Sequence, residues 1–205
     1  MKFEYLQEKI EQNPVFSLTD ILKWFPKTKS DTLKVQINQW LKTKKIIRLK
    51  KGLYYYAKIE LEDLFFIAPK LYFPSYVSLE TALNYYGFIP DVPQTITSIT
   101  NLTTAKFTNK LGNFTFRKIQ AKYFSGWRTI KNQKQNLFYN IAEPEKAVAD
   151  FLYFNLPQFQ TVEDLKAQRF NFNQNFNWPK FIKIAKIFYQ PKLKKLALGL
   201  QKMYA

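Results

Sequence analysis

The chain has 205 residues, of which 46% are hydrophobic and 18% aromatic; that is enough to bury a core and excludes a disordered polypeptide. Its 32 basic and 15 acidic residues leave a formal net charge of +17, a field that attracts polyanions, with nucleic acid the first candidate and an anionic membrane surface the second. Cysteine and histidine are both absent, which rules out disulfides, thiolate or imidazole metal ligands, and Ser-His-Asp or Cys-His catalysis.

Met1-Lys2-Phe3-Glu4 leads into a charged amphipathic segment, not a signal peptide. The most apolar stretch, Leu61 to Phe73, is interrupted by Glu62, Asp63, Pro69 and Lys70, short of the roughly 18 apolar residues of a membrane span. These features lead us to expect a cytoplasmic protein with no membrane partner, no metal and no cofactor.

Phe3, Leu6 and Ile10 recur at helical spacing and predict a helix over 3–12, ended by Asn13-Pro14. A second short helix is predicted over 18–25, capped by Ser17 or Thr19 and closed by Pro26. The third, over 30–43, has Ser30 as its expected N-cap and a buried stripe of Leu33, Ile37, Trp40 and Leu41. Its opposite face carries Thr32, Val35, Gln36, Asn38, Gln39 and Lys42. Two β-prone runs, Ile46–Leu49 and Leu53–Tyr56, flank Lys50-Lys51-Gly52 and predict a hairpin with a basic tip.

Three helices followed by such a hairpin is the order of a winged helix-turn-helix. In that motif the third helix meets base edges in the major groove. Gln36, Asn38 and Gln39 suit hydrogen bonding to base edges, and Thr32 and Val35 suit contact with a thymine methyl. Lys23, Lys27, Lys29, Lys34, Lys42, Lys44, Lys45, Arg48, Lys50 and Lys51 cluster on both sides of that face as candidate phosphate contacts, Ser30 is a further candidate DNA contact, and Asp31 is the only acid in residues 21–59. Winged helices also serve as protein-interaction modules, so an interaction scaffold stands as the alternative.

Beyond Lys58 the pattern predicts a short connecting helix over 60–66 and a helix over 72–87, capped by Ser75 or Ser78 and stopped by Gly87. Strands follow between Thr95 and Ile119 and at 137–141, then a helix over 143–155 with Pro144 in its first turn. Helices broken by Pro191 are expected from 178 to 204. The expected fold class is α+β: a winged helix-turn-helix over 1–60, then a mixed α/β domain over 70–205 with a small sheet and C-terminal helices. Glu143, Glu145 and Lys146 have the residue types of a carboxylate-plus-lysine nuclease site, but the same residues read as an ordinary helix start, and no enzymatic activity is expected. Lys180, Lys183, Lys186, Lys192, Lys194 and Lys195 form a C-terminal stripe, either a second polyanion surface or the solvated side of packed helices.

The segment Pro74-Ser75-Tyr76-Val77-Ser78-Leu79-Glu80-Thr81-Ala82-Leu83-Asn84-Tyr85-Tyr86-Gly87 resembles a hallmark of the AbiEi-type antitoxin family of abortive-infection systems. Supporting matches are Pro93–Thr100, Phe116–Ile119, Ala142-Glu143-Pro144-Glu145-Lys146-Ala147-Val148-Ala149-Asp150-Phe151-Leu152-Tyr153 and the hairpin Arg48–Tyr54, so the resemblance covers about residues 15–155. It implies a winged helix-turn-helix that binds repeats in its own promoter and represses it. It also implies a C-terminal domain that counters a nucleotidyltransferase-like toxin without necessarily forming a stable complex with it. Family members often run longer at the C-terminus.

Overall fold

A computed structural model describes residues 2–61 and 63–205. Met1, read above with the N-terminal segment, and Glu62, read with the connecting helix, lie outside the described residues.

Helices α1 (Phe3–Gln12), α2 (Leu18–Trp24) and α3 (Ser30–Lys42) bury Phe3, Leu6, Ile10, Ile21, Leu33, Ile37 and Trp40 in one small core. Ser17 and Asp20 close a capping box on α2: Asp20 N donates to Ser17 Oγ (3.1 Å) and Ser17 N donates to Asp20 Oδ2 (2.8 Å). For α3 the expected cap is displaced by one residue: Lys29 is the N-cap and no side chain caps the helix. The same helix ends in a Schellman motif, with Lys45 N donating to Trp40 O and Lys44 N to Leu41 O. That motif puts Lys44 in the left-handed region (φ 55) usually given to glycine.

A three-stranded antiparallel sheet, β1 (Val15–Ser17), β2 (Ile46–Lys50) and β3 (Leu53–Tyr56), has the order β1-β3-β2. Strand β1 has no counterpart in the sequence reading, because three residues are too few to show an alternation. This sheet is buried on both faces. Phe16, Ile46, Tyr54 and Tyr56 enter the helical core, while Val15, Leu49 and Tyr55 join the larger core formed by the rest of the chain. Lys51 and Gly52 make the hairpin turn, which needs the left-handed φ (78) that glycine supplies.

After Tyr56 the chain is mixed α/β. A six-stranded mixed sheet has the order β6-β7-β5-β4-β9-β8, larger than the small sheet expected. Its strands are β4 (Tyr76–Val77), β5 (Thr95–Thr100), β6 (Ala105–Asn109), β7 (Gly112–Lys118), β8 (Trp127–Lys131) and β9 (Phe138–Ala142). The pairs β4–β9 and β5–β7 are parallel, the others antiparallel. Around it stand α4 (Ala68–Leu71), α5 (Leu79–Tyr85), α6 (Pro144–Phe154), α7 (Trp178–Ile187) and α8 (Pro191–Tyr204).

Two expected helices come out differently. The connecting helix starts later, as a 3-10 turn over Leu64–Ile67 capped by Asp63, and runs into α4. The helix expected over 72–87 is broken: residues 72–74 form a bend, Tyr76-Val77 becomes the central strand β4, and only Leu79–Tyr85 is helical. A central strand buried on both faces lacks the alternation that would have separated it from the helical pattern beside it. Strand β8 was also not foreseen.

Strand β4 and helix α6 are joined by a buried polar cluster. Asp150 and Lys146 lie one turn apart on α6 and form an ion pair. Asp150 Oδ2 also accepts hydrogen bonds from Tyr76 Oη (3.0 Å) and Ser78 Oγ (3.0 Å), and Lys146 Nζ donates to Tyr76 Oη (2.9 Å). The indole of Trp127 stacks on Tyr76 at 5.0 Å, and Gly126 lies so close that a Cβ there would stand 3.1 Å from Lys146 Cγ. With Ser78 Oγ spent on Asp150, α5 has no side-chain cap, and buried Leu79 takes a left-handed φ (57) at the sharp turn from strand to helix.

Losing one member of a buried ion pair leaves the other uncompensated. We therefore expect Lys146→Met to cost roughly 3–5 kcal/mol in urea denaturation. The double variant Lys146→Met/Asp150→Leu should lose less than the sum of the two single variants. Strictly additive losses would contradict a coupled pair.

Candidate nucleic-acid interface

Helix α3 turns Leu33, Ile37 and Trp40 inward, so residues between them must face out. Thr32, Val35, Gln39 and Lys42 follow at helical spacing along one exposed row, with Asn38 beside it. Val35 is 69% exposed, an uncovered apolar group in the middle of a polar face. Gln36 is half-buried at the edge of the row and is not part of the open face the sequence assigned it to.

The charges around this row divide into groups. Lys29 and Ser30, at the start of α3, are exposed. Lys34 Nζ pairs with Asp31 Oδ1 at 2.9 Å, and its hydrogen bond and charge hold the Asp31 carboxyl below its ordinary range. A pair this exposed is weak, so a phosphate can take Lys34 over at little cost. Lys42 is exposed at the last turn. Lys44 and Lys45 point toward α1: with Phe3, Gln7 and Tyr56 they line a cleft of about 360 Å³, and Lys45 Nζ lies 4.7 Å from the Phe3 ring centroid.

On the hairpin, Arg48 and Lys51 are exposed and Lys50 is not. A bulge between Arg48 and Lys50 breaks the side-chain alternation of β2. Lys50 Nζ donates to the Leu71 carbonyl and lies 5.6 Å from the Phe107 ring centroid, and partial burial lowers its pKa. Asn109 Nδ2 ties the same strand to β6 through Leu49 O (3.3 Å). The hairpin is thus fastened to the larger sheet, and of the two lysines placed at its tip Lys51 is exposed while Lys50 is partly covered. Nothing in Lys50-Lys51-Gly52 distinguishes the two lysines, because the bulge depends on pairing partners far away in sequence.

The carboxylate-plus-lysine set does not assemble as a site. Glu143 and Glu145 both pair with Lys180 (2.9 and 3.0 Å), Glu145 Oε1 accepts from Asn177 N (3.1 Å), and Lys146 is sealed in the cluster with Asp150. Among the described residues no group of three or more acids could hold a metal ion, and no helix is long and apolar enough to cross a membrane.

The asymmetry at the tip is measurable. Lys50→Met should lower the urea unfolding free energy by about 1–2 kcal/mol, since it leaves the Leu71 carbonyl without its charged donor. Lys51→Met should leave stability within about 0.5 kcal/mol of the parent. Equal losses would mean that Lys50 is as free as its neighbour. Compared with known proteins, the chain matches no family model and no curated protein.

Proposed function

We propose that the protein is a duplex-DNA-binding repressor of its own promoter and the antitoxin of a toxin–antitoxin operon, paired with a nucleotidyltransferase-like toxin. The observation that carries the DNA-binding half is the exposed row Thr32, Val35, Gln39, Lys42 on α3, flanked by basic side chains, with the one nearby acid already paired to Lys34. The order α1-β1-α2-α3-β2-β3, with β3 central in its sheet, supports the winged helix-turn-helix reading and accounts for β1, which the sequence did not signal.

In this reading α3 enters the major groove. Gln39 and Asn38 offer amides to base edges, and Val35 and Thr32 offer methyls to thymine. Lys29, Lys34, Lys42, Arg48 and Lys51 neutralise phosphates, and Ser30 offers its hydroxyl and backbone N–H to the backbone at the start of the helix. Lys50 fastens the hairpin, so the wing's contact is limited to Arg48 and Lys51. The antitoxin half rests on the resemblance over residues 74–87 and 142–153. Tyr76 and Ser78 of the first segment and Lys146 and Asp150 of the second meet in one buried cluster, which supports reading the two segments as one unit.

The scaffold alternative is favoured by one observation, an open cleft of about 510 Å³ on the N-terminal helices lined by Tyr5, Trp24, Phe25 and Pro26. Fluorescence anisotropy with labelled duplex from the gene's upstream region, against a scrambled duplex, separates the two readings. Specific binding is expected to weaken steeply with salt, with Lys42→Ala and Lys51→Ala each lowering the slope of log K against log [salt] by about one. Gln39→Ala should instead shrink the preference for the upstream duplex by about 1–3 kcal/mol. Equal affinity for both duplexes would overturn specific recognition.

A further inference from the structure

Trp178 to Ala205 contain seven lysines and no acid, and the fold sorts those lysines. Lys180 is held by Glu143 and Glu145, and Lys192 lies beside Gln160 (3.4 Å). Lys186 and Lys194 instead turn to a shallow cleft of about 390 Å³ that they line with Tyr189, Gln190 and Pro191. From a different part of the chain, Lys122 brings its Nζ to 6.0 Å from the Tyr189 ring centroid. None of Lys122, Lys186 and Lys194 forms an ion pair among the described residues.

Tyr189 is 80% exposed, the most exposed of the large apolar side chains among the described residues, although its neighbour Phe188 is buried. Its backbone ends α7 in the left-handed conformation (φ 51), with Tyr189 N donating to the Lys186 carbonyl (3.1 Å), which turns the ring away from the buried face. The helix ending accounts for the backbone of Tyr189, but not for a ring left exposed among three cations that form no ion pair.

We propose that this platform binds single-stranded nucleic acid, an unpaired base stacking on Tyr189 while Lys122, Lys186 and Lys194 hold the adjoining phosphates. Stacking needs a base with an open face, which a duplex interior does not offer, whereas every unpaired base has one. Charge complementarity fixes the polyanion. A membrane surface fits less well, because it requires an open apolar helix face, and the apolar sides of α7 and α8 (Phe181, Ala185, Leu193, Leu196, Leu200) are buried in the core. The platform uses none of the α3 residues, so it stands or falls separately from duplex recognition.

The test uses the full chain and short fluorescein-labelled oligothymidylate and oligouridylate, titrated by anisotropy. Tyr189→Ala should weaken binding about tenfold, the loss of one stacked base. Tyr189→Trp should retain it, and Lys186→Ala/Lys194→Ala should weaken it and reduce the salt slope by roughly one to one and a half. Val35→Asp on α3 should leave both oligomers bound as by the parent. A preference for either oligomer supports the proposal and tells DNA from RNA. Failure of the parent chain to bind either oligomer overturns it, as does unchanged binding by Tyr189→Ala. Binding to phosphatidylserine vesicles or to an acidic polypeptide that depends on Tyr189, with the oligomers indifferent to it, also overturns it.

Discussion

Tyr55 is the residue on which the two cores meet. Its neighbours on β3, Tyr54 and Tyr56, point into the helical core, so the pleat of the strand sends Tyr55 the other way, into the larger core with Val15 and Leu49. There its hydroxyl donates to the Ile59 carbonyl, and burial together with the nearby Glu60 charge pushes its pKa up to about 12. A small sheet with one wet face would leave the hairpin free to move. A sheet covered on both faces cannot shift without exposing apolar surface on one side or the other. The position of α3 relative to the rest of the chain therefore follows from the alternation of three consecutive tyrosines, reinforced by Lys50 on the Leu71 carbonyl and by Asn136 N on Gln12 O (2.7 Å).

That constraint changes what the basic residues can do. Fastening the hairpin engages Lys50 with the larger unit and leaves Lys51 and Arg48 as its exposed cations. In the larger unit burial and pairing take Lys146 out of the charged surface and tie α6 to β4, while Glu143 and Glu145 engage the still accessible Lys180 and tie α6 to α7. The cations left over are not evenly spread. One group lies on and around α3 and another around Tyr189, and the proposed functions rest on these two groups and not on the net charge of +17.

Much of the N-terminal unit was legible because its signals are local. Helical spacing gave α1 and α3, Ser17, one of two candidate caps, marked the start of α2, and Gly52 marked the turn. Strand β1 was not legible, since its partner on β3 lies far along the chain and three residues carry no period. For Tyr76-Val77 the apolar neighbours imitate a helix, and only the position of β4 between β5 and β9 makes it a strand. The α3 face could be read because a helix displays its exposed residues at fixed spacing, with Gln36 the one residue placed on it that the fold half-buries. The platform at Tyr189 could not, because Lys122 and Lys186 come together only through folding. The C-terminal lysine stripe that sequence left open divides into paired and unpaired members for the same reason.

The central claim is that the exposed row of α3, held in place by the two-faced sheet, is the surface that meets duplex DNA. Lysine acetylation measured residue by residue, with and without the upstream duplex, tests it most directly. Lys34, Lys42 and Lys51 should react readily in the free protein and become protected in the complex, while Lys50 and Lys146 should react slowly in both. A duplex that binds and leaves Lys34, Lys42 and Lys51 as reactive as before would contradict the account.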